Sequence, residues 1–358
     1  MTERSDKIAI TIGTRPEPGL CDYIVLDIPQ APDGKFEKGG YEFLQGSTTK
    51  CMFSIRVPST EVLSRRSTFL GKATLSSTGR KILQTLLPMR GFGFLGEVSP
   101  LNPSGSTRGS LADYTRWLKF CYARFTEVLR GLGIARDEVI NFFAFKPLNL
   151  AWRAPSYERL LEGLNTIPGD HLHLVMLLTI TNETSLLVQP SSSWDKHCLS
   201  SNSDPTIKEA VELIAKVKSP VFTFALTLSL RFDIFEDVMV TSLGTTDLDN
   251  AYGTDHRSVS YESECIKLHA GIPFHRITNV AVGECAFAQY TPMDVATFET
   301  SESVEEKMRL AYETLDLLKA TSHTVGWLVY NVTRGLAPEL CGGRQHRLKK
   351  IREIIDTR

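Results

Sequence analysis

The chain has 358 residues and a mass of 39.9 kDa, room for two domains or one large one. Its 42% hydrophobic and 23% charged residues are ordinary for a globular protein. A formal net charge of −1 excludes a whole-molecule field that would favour nucleic acid or an anionic membrane, so any such contact falls to a local patch. The opening MTERSDKIAITIG sets charges where a signal peptide needs an apolar core, and no run approaches the ~20 apolar residues of a membrane span. Seven scattered cysteines form no CxxC pair and sit mostly in apolar patterns, which suits reduced thiols and a cytoplasmic location.

In chain order, Asp22–Ile28 and Lys50–Val57 read as strands, each stopped by a proline. Gly91-Phe-Gly93-Phe-Leu-Gly96 matches GxGxxG, but a dinucleotide site needs a strand before it and a helix after it. Pro88 precedes the motif and Pro100 and Pro103 follow it, so it reads as a turn. Gly105–Gly109 has the frame of a nucleophile elbow but carries Thr107 where the serine belongs. The clearest helix spans 110–132, with Leu111, Tyr114, Leu118, Cys121, Phe125, Val128 and Leu132 on one stripe. Its Arg116, Lys119, Arg124 and Arg130 lie mostly off that stripe.

Further on, Glu138–Phe145 reads as a strand, Tyr157–Leu164 as a short helix and His171–Ile180 as a buried strand. Ser191–Asp204 is the most polar stretch and reads as a mobile loop or boundary. A helix follows at 206–218. Val221–Ile234 is then one long central strand, with Phe222, Phe224, Leu226, Leu228, Leu230, Phe232 and Ile234 on a single face. Val238–Leu243, Val259–Leu268 and Ile277–Tyr290 read as further strands. A helix spans 303–320, opened by a Ser303/Glu306 capping box, and Val325–Val332 is a last strand. Mostly sequential strands without βαβ alternation predict an α+β fold with antiparallel sheets and one long amphipathic helix in each half. The halves divide as 1–190 and 205–340, with a basic arm at 341–358.

Chemistry-bearing residues are dispersed. Asp247, Asp249, Asn250, Gly253 and Asp255 miss the spacing of a calcium loop. His171, His173, His269 and His275 have no fixed metal-ligand spacing, and His197-Cys198 are adjacent in the chain, a poor arrangement for proton transfer between them. No catalytic residue, metal or cofactor is assigned, and no small-molecule ligand is evident. The arm after Gly343 sets Arg344, Arg347, Lys349, Lys350, Arg352 and Arg358 against two acids, with Leu348, Ile351, Ile354 and Ile355 on one helical side. With Arg116, Lys119 and Arg124 it forms the candidate contact for RNA phosphates or anionic lipid.

Strand-rich halves, one long helix in each and a basic appendage give a layout that resembles the self-assembling matrix or coat proteins of RNA viruses. That resemblance implies a non-enzymatic scaffold that associates with itself. One alternative is a hydrolase-like enzyme built from dispersed groups such as His171, His173, Asp233 and Asp237. Another is an RNA-binding protein.

Overall fold

The computed structural model describes residues 17–27, 49–55, 89–96, 111–148, 150–181, 185–196, 204–238, 251–259, 275–278, 286–289, 293–320, 323–330 and 345–358. Its centre is a sheet of seven strands: β1 (Tyr23–Asp27), β2 (Lys50–Ile55), β3 (Met89–Gly96), β4 (Phe142–Phe145), β5 (Leu174–Leu177), β6 (Thr223–Ser229) and β12 (Val325–Tyr330). They lie in that order, and every pairing is parallel. The expected antiparallel α+β fold is therefore wrong for the main sheet. The physical reason lies in burial: strands covered on both faces read as short continuous apolar runs, FFAF and LVML, without the alternation that marks a one-sided sheet.

Helices cover the outer face: α1 (Leu111–Gly131), α2 (Leu150–Leu164), α3 (Ile207–Ala215), α4 (Ser301–Leu317) and α5 (His346–Asp356). Phe143 and Phe145 of β4, Val175 and Leu177 of β5, and Phe224, Leu226 and Leu228 of β6 join one cluster with Leu118, Cys121 and Phe125 of α1 and Val304 and Met308 of α4. The alternate residues Met52, Phe142, Ala144, Met176, Leu178 and Ala225 form a second cluster on the concave side. Each strand thus has an outer row against helices and an inner row against the other strands, the layering of a parallel β/α barrel.

The glycine-rich motif lies inside β3, not in a turn. A side chain at Gly91 would strike the carbonyl of Ile140, and one at Gly93 the carbonyl and ring of Phe142. These glycines let β3 and β4 approach each other.

The long run Val221–Ile234 is divided. β6 ends at Ser229, and after Leu230 and Arg231 the chain enters β7 (Phe232–Glu236) in another sheet. That five-stranded antiparallel sheet has the order β8-β7-β11-β10-β9, adding β8 (Asp255–Val259), β9 (His275–Thr278), β10 (Ala286–Gln289) and β11 (Val295–Phe298). It is inserted between β6 and β12. Phe232 and Ile234 keep the parity of the outer row of β6 but pack with Ala296 and Phe298. Of the predicted hairpin partner Val238–Leu243, Val238 is buried just beyond β7 and residues 239–243 lie outside the described residues.

Helix boundaries shift in explicable ways. The α4 capping box is made by Thr300 and Ser303, one turn before the predicted one, because Thr300 accepts from the Ser303 N–H at 3.0 Å and the Ser303 hydroxyl accepts from the Thr300 N–H at 2.9 Å. α2 carries Pro155 within it and begins well before the predicted Tyr157.

Candidate functional site

In parallel β/α sheets, loops after the carboxyl ends of the strands carry the chemistry. Here that end is polar and charged. Lys146 follows β4 with the parity of Phe142 and Ala144, and it is 6% exposed. Its Nζ lies 3.0 Å from Oδ1 of Asp204, itself 7% exposed. Gln189 Nε2 donates to the other oxygen of Asp204 at 3.0 Å. Lys196 Nζ donates to the Asp204 carbonyl and lies 3.1 Å from Glu209.

A second cluster closes on the end of β6. The Ser229 N–H donates to the Ser192 hydroxyl, which donates in turn to Glu299 Oε1 at 3.1 Å. Lys307 Nζ lies 2.5 Å from the same oxygen and donates to the Ser192 carbonyl at 2.9 Å. Ser303 donates to Glu299 Oε2, and Arg347 of α5 donates to the Glu299 carbonyl at 2.8 Å. Lys307 and Glu299 are both essentially inaccessible.

The third cluster sits where β6 passes into β7. Arg231 Nε donates to Asp233 Oδ2 at 2.9 Å, and its Nη2 donates to the Thr181 hydroxyl at 3.2 Å. Ser258 donates to Asp233 Oδ1, and His256 Nε2 lies 3.4 Å from that oxygen. Burial pushes the Asp233 carboxyl up, but Arg231, His256 and Ser258 outweigh burial and hold it below the ordinary aspartate value.

Three buried cation–carboxylate pairs therefore gather at one end of the sheet. Two buried oxygens there, Gln189 Oε1 and Ser229 Oγ, have no hydrogen-bond partner among the described residues. Buried polar atoms are rarely left unpaired, and both are closed off from solvent, so they mark an unsatisfied spot within this polar interior.

The predicted mobile stretch, Ser191–Asp204, contributes directly: Ser191, Ser192 and Ser193 are buried, and Ser191 and Ser192 are tied to β6 and Glu299. Of the dispersed candidates, Asp233 lies at this end and Asp237 beyond the tip of β7, whereas His171 and His173 precede β5 at the opposite end. His173 Nδ1 accepts from the Asn141 N–H at 3.1 Å and His171 meets Thr126 at 3.2 Å. His197, Cys198 and His269 lie outside the described residues, as do Asp247, Asp249 and Asn250. The candidate phosphate contacts are spread over separate elements. Arg116 pairs with Asp113 and Arg124 with Glu127 on α1, where Lys119 is exposed. On α5, Arg347 is 1% exposed, Lys349 reaches Glu17, Lys350 reaches Glu305 and Arg352 reaches Asp22 and Asp356. Arg344 lies outside the described residues.

No family model and no curated protein matches the chain. Solved structures do. Over 98% of this chain and 95% of its own, the Group IV chitinase of Ostrinia furnacalis, in complex with allosamidin, superposes with a TM-score of 0.61 at 11% identity. The fold is chitinase-like. A glycoside hydrolase family 18 N-acetylglucosaminidase from Paenibacillus barengoltzii covers 97% of the chain and 94% of its own at TM-score 0.53 and 11% identity. The class V chitinase from Nicotiana tobaccum, in complex with NAG4, covers 95% and 93% at TM-score 0.54 and 10% identity.

The chitinase-like fold corrects the expected viral-type scaffold: a parallel β/α sheet matched nearly end to end by hydrolases is not a matrix or coat architecture. It likewise corrects the expectation of self-association without a small-molecule ligand, since the structural neighbours include complexes with allosamidin and NAG4. The hydrolase-like alternative is the better supported of the sequence readings. Of the dispersed groups named for that enzyme, the carboxyl end gathers Asp233. The groups that sequence reasoning missed are Lys146, Gln189, Asp204, Glu299 and Lys307. For Lys146 the one signal was charge placed at the parity of the buried apolar residues Phe142 and Ala144.

Proposed function

We propose that the chain is a carbohydrate-acting protein of the glycoside hydrolase type, whose ligand is an N-acetylglucosamine oligosaccharide bound across the carboxyl ends of the parallel sheet. One observation carries this reading: the end-to-end likeness to chitinases brings Lys146, Asp204, Gln189, Ser229 and Glu299 together at the end where such folds do their chemistry.

Cleavage of a glycosidic bond needs a carboxyl group that is protonated near neutral pH, hence one with a raised pKa. Among the described residues at this end, the Asp233 carboxyl is held low, and Asp204 and Glu299 are each engaged by a lysine Nζ within 3.0 Å, which leaves those oxygens committed to the protein. That observation favours a second reading: recognition of the oligosaccharide without hydrolysis. The two readings separate in one experiment. Titration of the full chain with chito-oligosaccharides of two to six sugars by calorimetry reads binding, and mass spectrometry of the same mixtures after prolonged incubation reads cleavage. Binding with shortened products supports the hydrolase. Binding with intact sugar supports the second reading, and the absence of binding at every length ends both.

A further inference from the structure

We infer that Tyr252, backed by Leu187, forms an outer stacking subsite for a distal sugar ring of the oligosaccharide, an inference that rests on the function proposed above. Beyond β5, Ile180 bridges Ser192 in antiparallel fashion, and the Thr181 N–H donates to the Ser191 carbonyl at 3.0 Å. Residues 186–188 are pinned to the segment leading into β8. Leu187 bridges Tyr252, the Val188 N–H donates to the Ala251 carbonyl at 2.9 Å, and the Gly253 N–H donates to the Leu186 carbonyl at 2.9 Å. The Thr254 N–H then donates to the Glu236 carbonyl of β7, also at 2.9 Å. At Gly253 a side chain would come within 2.8 Å of that same carbonyl, so the backbone beside Tyr252 lies close against β7.

The Tyr252 backbone is thus fixed on both sides, yet its side chain is 65% exposed. Leu187 stands opposite it in the bridge, on the same face, and is half-buried. A held aromatic ring costs little further ordering when a ligand stacks on it. A pyranose fits the ring chemically, since each sugar face presents a row of C–H groups to the electron-rich face of the phenol. Polar acceptors stand alongside for the sugar hydroxyls: the Thr254 hydroxyl lies 3.3 Å from Asp237 Oδ2, and Asp255 is exposed.

The platform is continuous with the candidate site. Gln189, two residues beyond Leu187, donates to the Asp204 carboxylate that pairs with Lys146. A long oligosaccharide can reach both places, and a short one only the inner.

Calorimetric titration of the wild-type chain, Tyr252→Ala and Tyr252→Phe with the disaccharide and the hexasaccharide of N-acetylglucosamine tests this. We expect Tyr252→Ala to weaken hexasaccharide binding by about two- to tenfold, the range of one aromatic contact. Disaccharide affinity should stay the same, and Tyr252→Phe should keep wild-type affinity for both. A wild type that prefers the hexasaccharide while Tyr252→Ala binds it equally well overturns the subsite alone, as does an equal loss for both sugars. A wild type that binds neither sugar overturns the proposed function and this inference with it.

Discussion

Among the described residues, the buried network around Asn141 at the amino end of β4 holds no ion pair, whereas the buried network at the carboxyl ends includes lysine–carboxylate pairs among its neutral groups. Below β4, Asn141 is fully buried and satisfied: its amide donates to the His171 carbonyl at 2.8 Å and to Thr126 at 3.2 Å, and its oxygen accepts from the Phe92 N–H at 3.1 Å. Above β4, Lys146 faces Asp204, and Lys307 faces Glu299 out of contact with water. A neutral network costs little once every bond is made, but a buried ion pair must first recover the desolvation of two charges. The difference teaches which end is built for packing and which is kept polar at a cost in stability.

Removing one charge from the carboxyl end should produce the largest effect. Lys307→Met leaves Glu299 buried without its counter-charge and should cost about 3–5 kcal/mol, read as a drop in the urea midpoint at constant m-value. A loss below about 1 kcal/mol would mean that this charge is not held under electrostatic demand. At the neutral end, Asn141→Ala orphans the Phe92 N–H and the His171 carbonyl and should cost about 1–3 kcal/mol in the same assay. Equal losses from the two variants would erase the contrast between the ends.

A pH dependence also belongs to the neutral end. Burial, and next the neighbouring His171, pull His173 down from its ordinary value to about 4. Its Nδ1 also accepts from the Asn141 N–H, a bond that protonation removes. A histidine depressed on folding contributes stability that is complete above its unfolded value of 6.5 and is lost as pH falls towards 4. The stability difference between wild type and His173→Gln should therefore shrink over that window, measured by urea titration at successive pH values. A constant difference would show that His173 does not titrate across it.

Helices and their buried stripes were legible in the sequence because the 3.6-residue period is local. Tyr114, Leu118, Cys121 and Phe125 of the α1 stripe are buried, and so are Leu348 and Ile351 on the apolar side of α5. Strand direction was not legible. Parallel pairing depends on crossovers between segments far apart in sequence, and FFAF or LVML carries no mark of its neighbour. The same distance hid the site. Ser191–Ser193 are polar and unpatterned, so alone they imply solvent, and only Glu299 and Lys307, more than a hundred residues later, make them an interior. Lys146 closes an apolar run and reads as a strand-end charge until Asp204 is placed beside it.

The passage from β6 to β7 has a mechanical meaning as well. The chain passes from the barrel strand into the inserted sheet across only two residues, Leu230 and Arg231, with Arg231 and Asp233 clamped at the join. The inserted sheet is moored at more than this join: the Leu187–Tyr252 bridge holds one margin, and Thr297 of β11 donates to the Gln189 carbonyl at 3.2 Å. Rim and root are therefore braced against one another through the segment that carries Gln189.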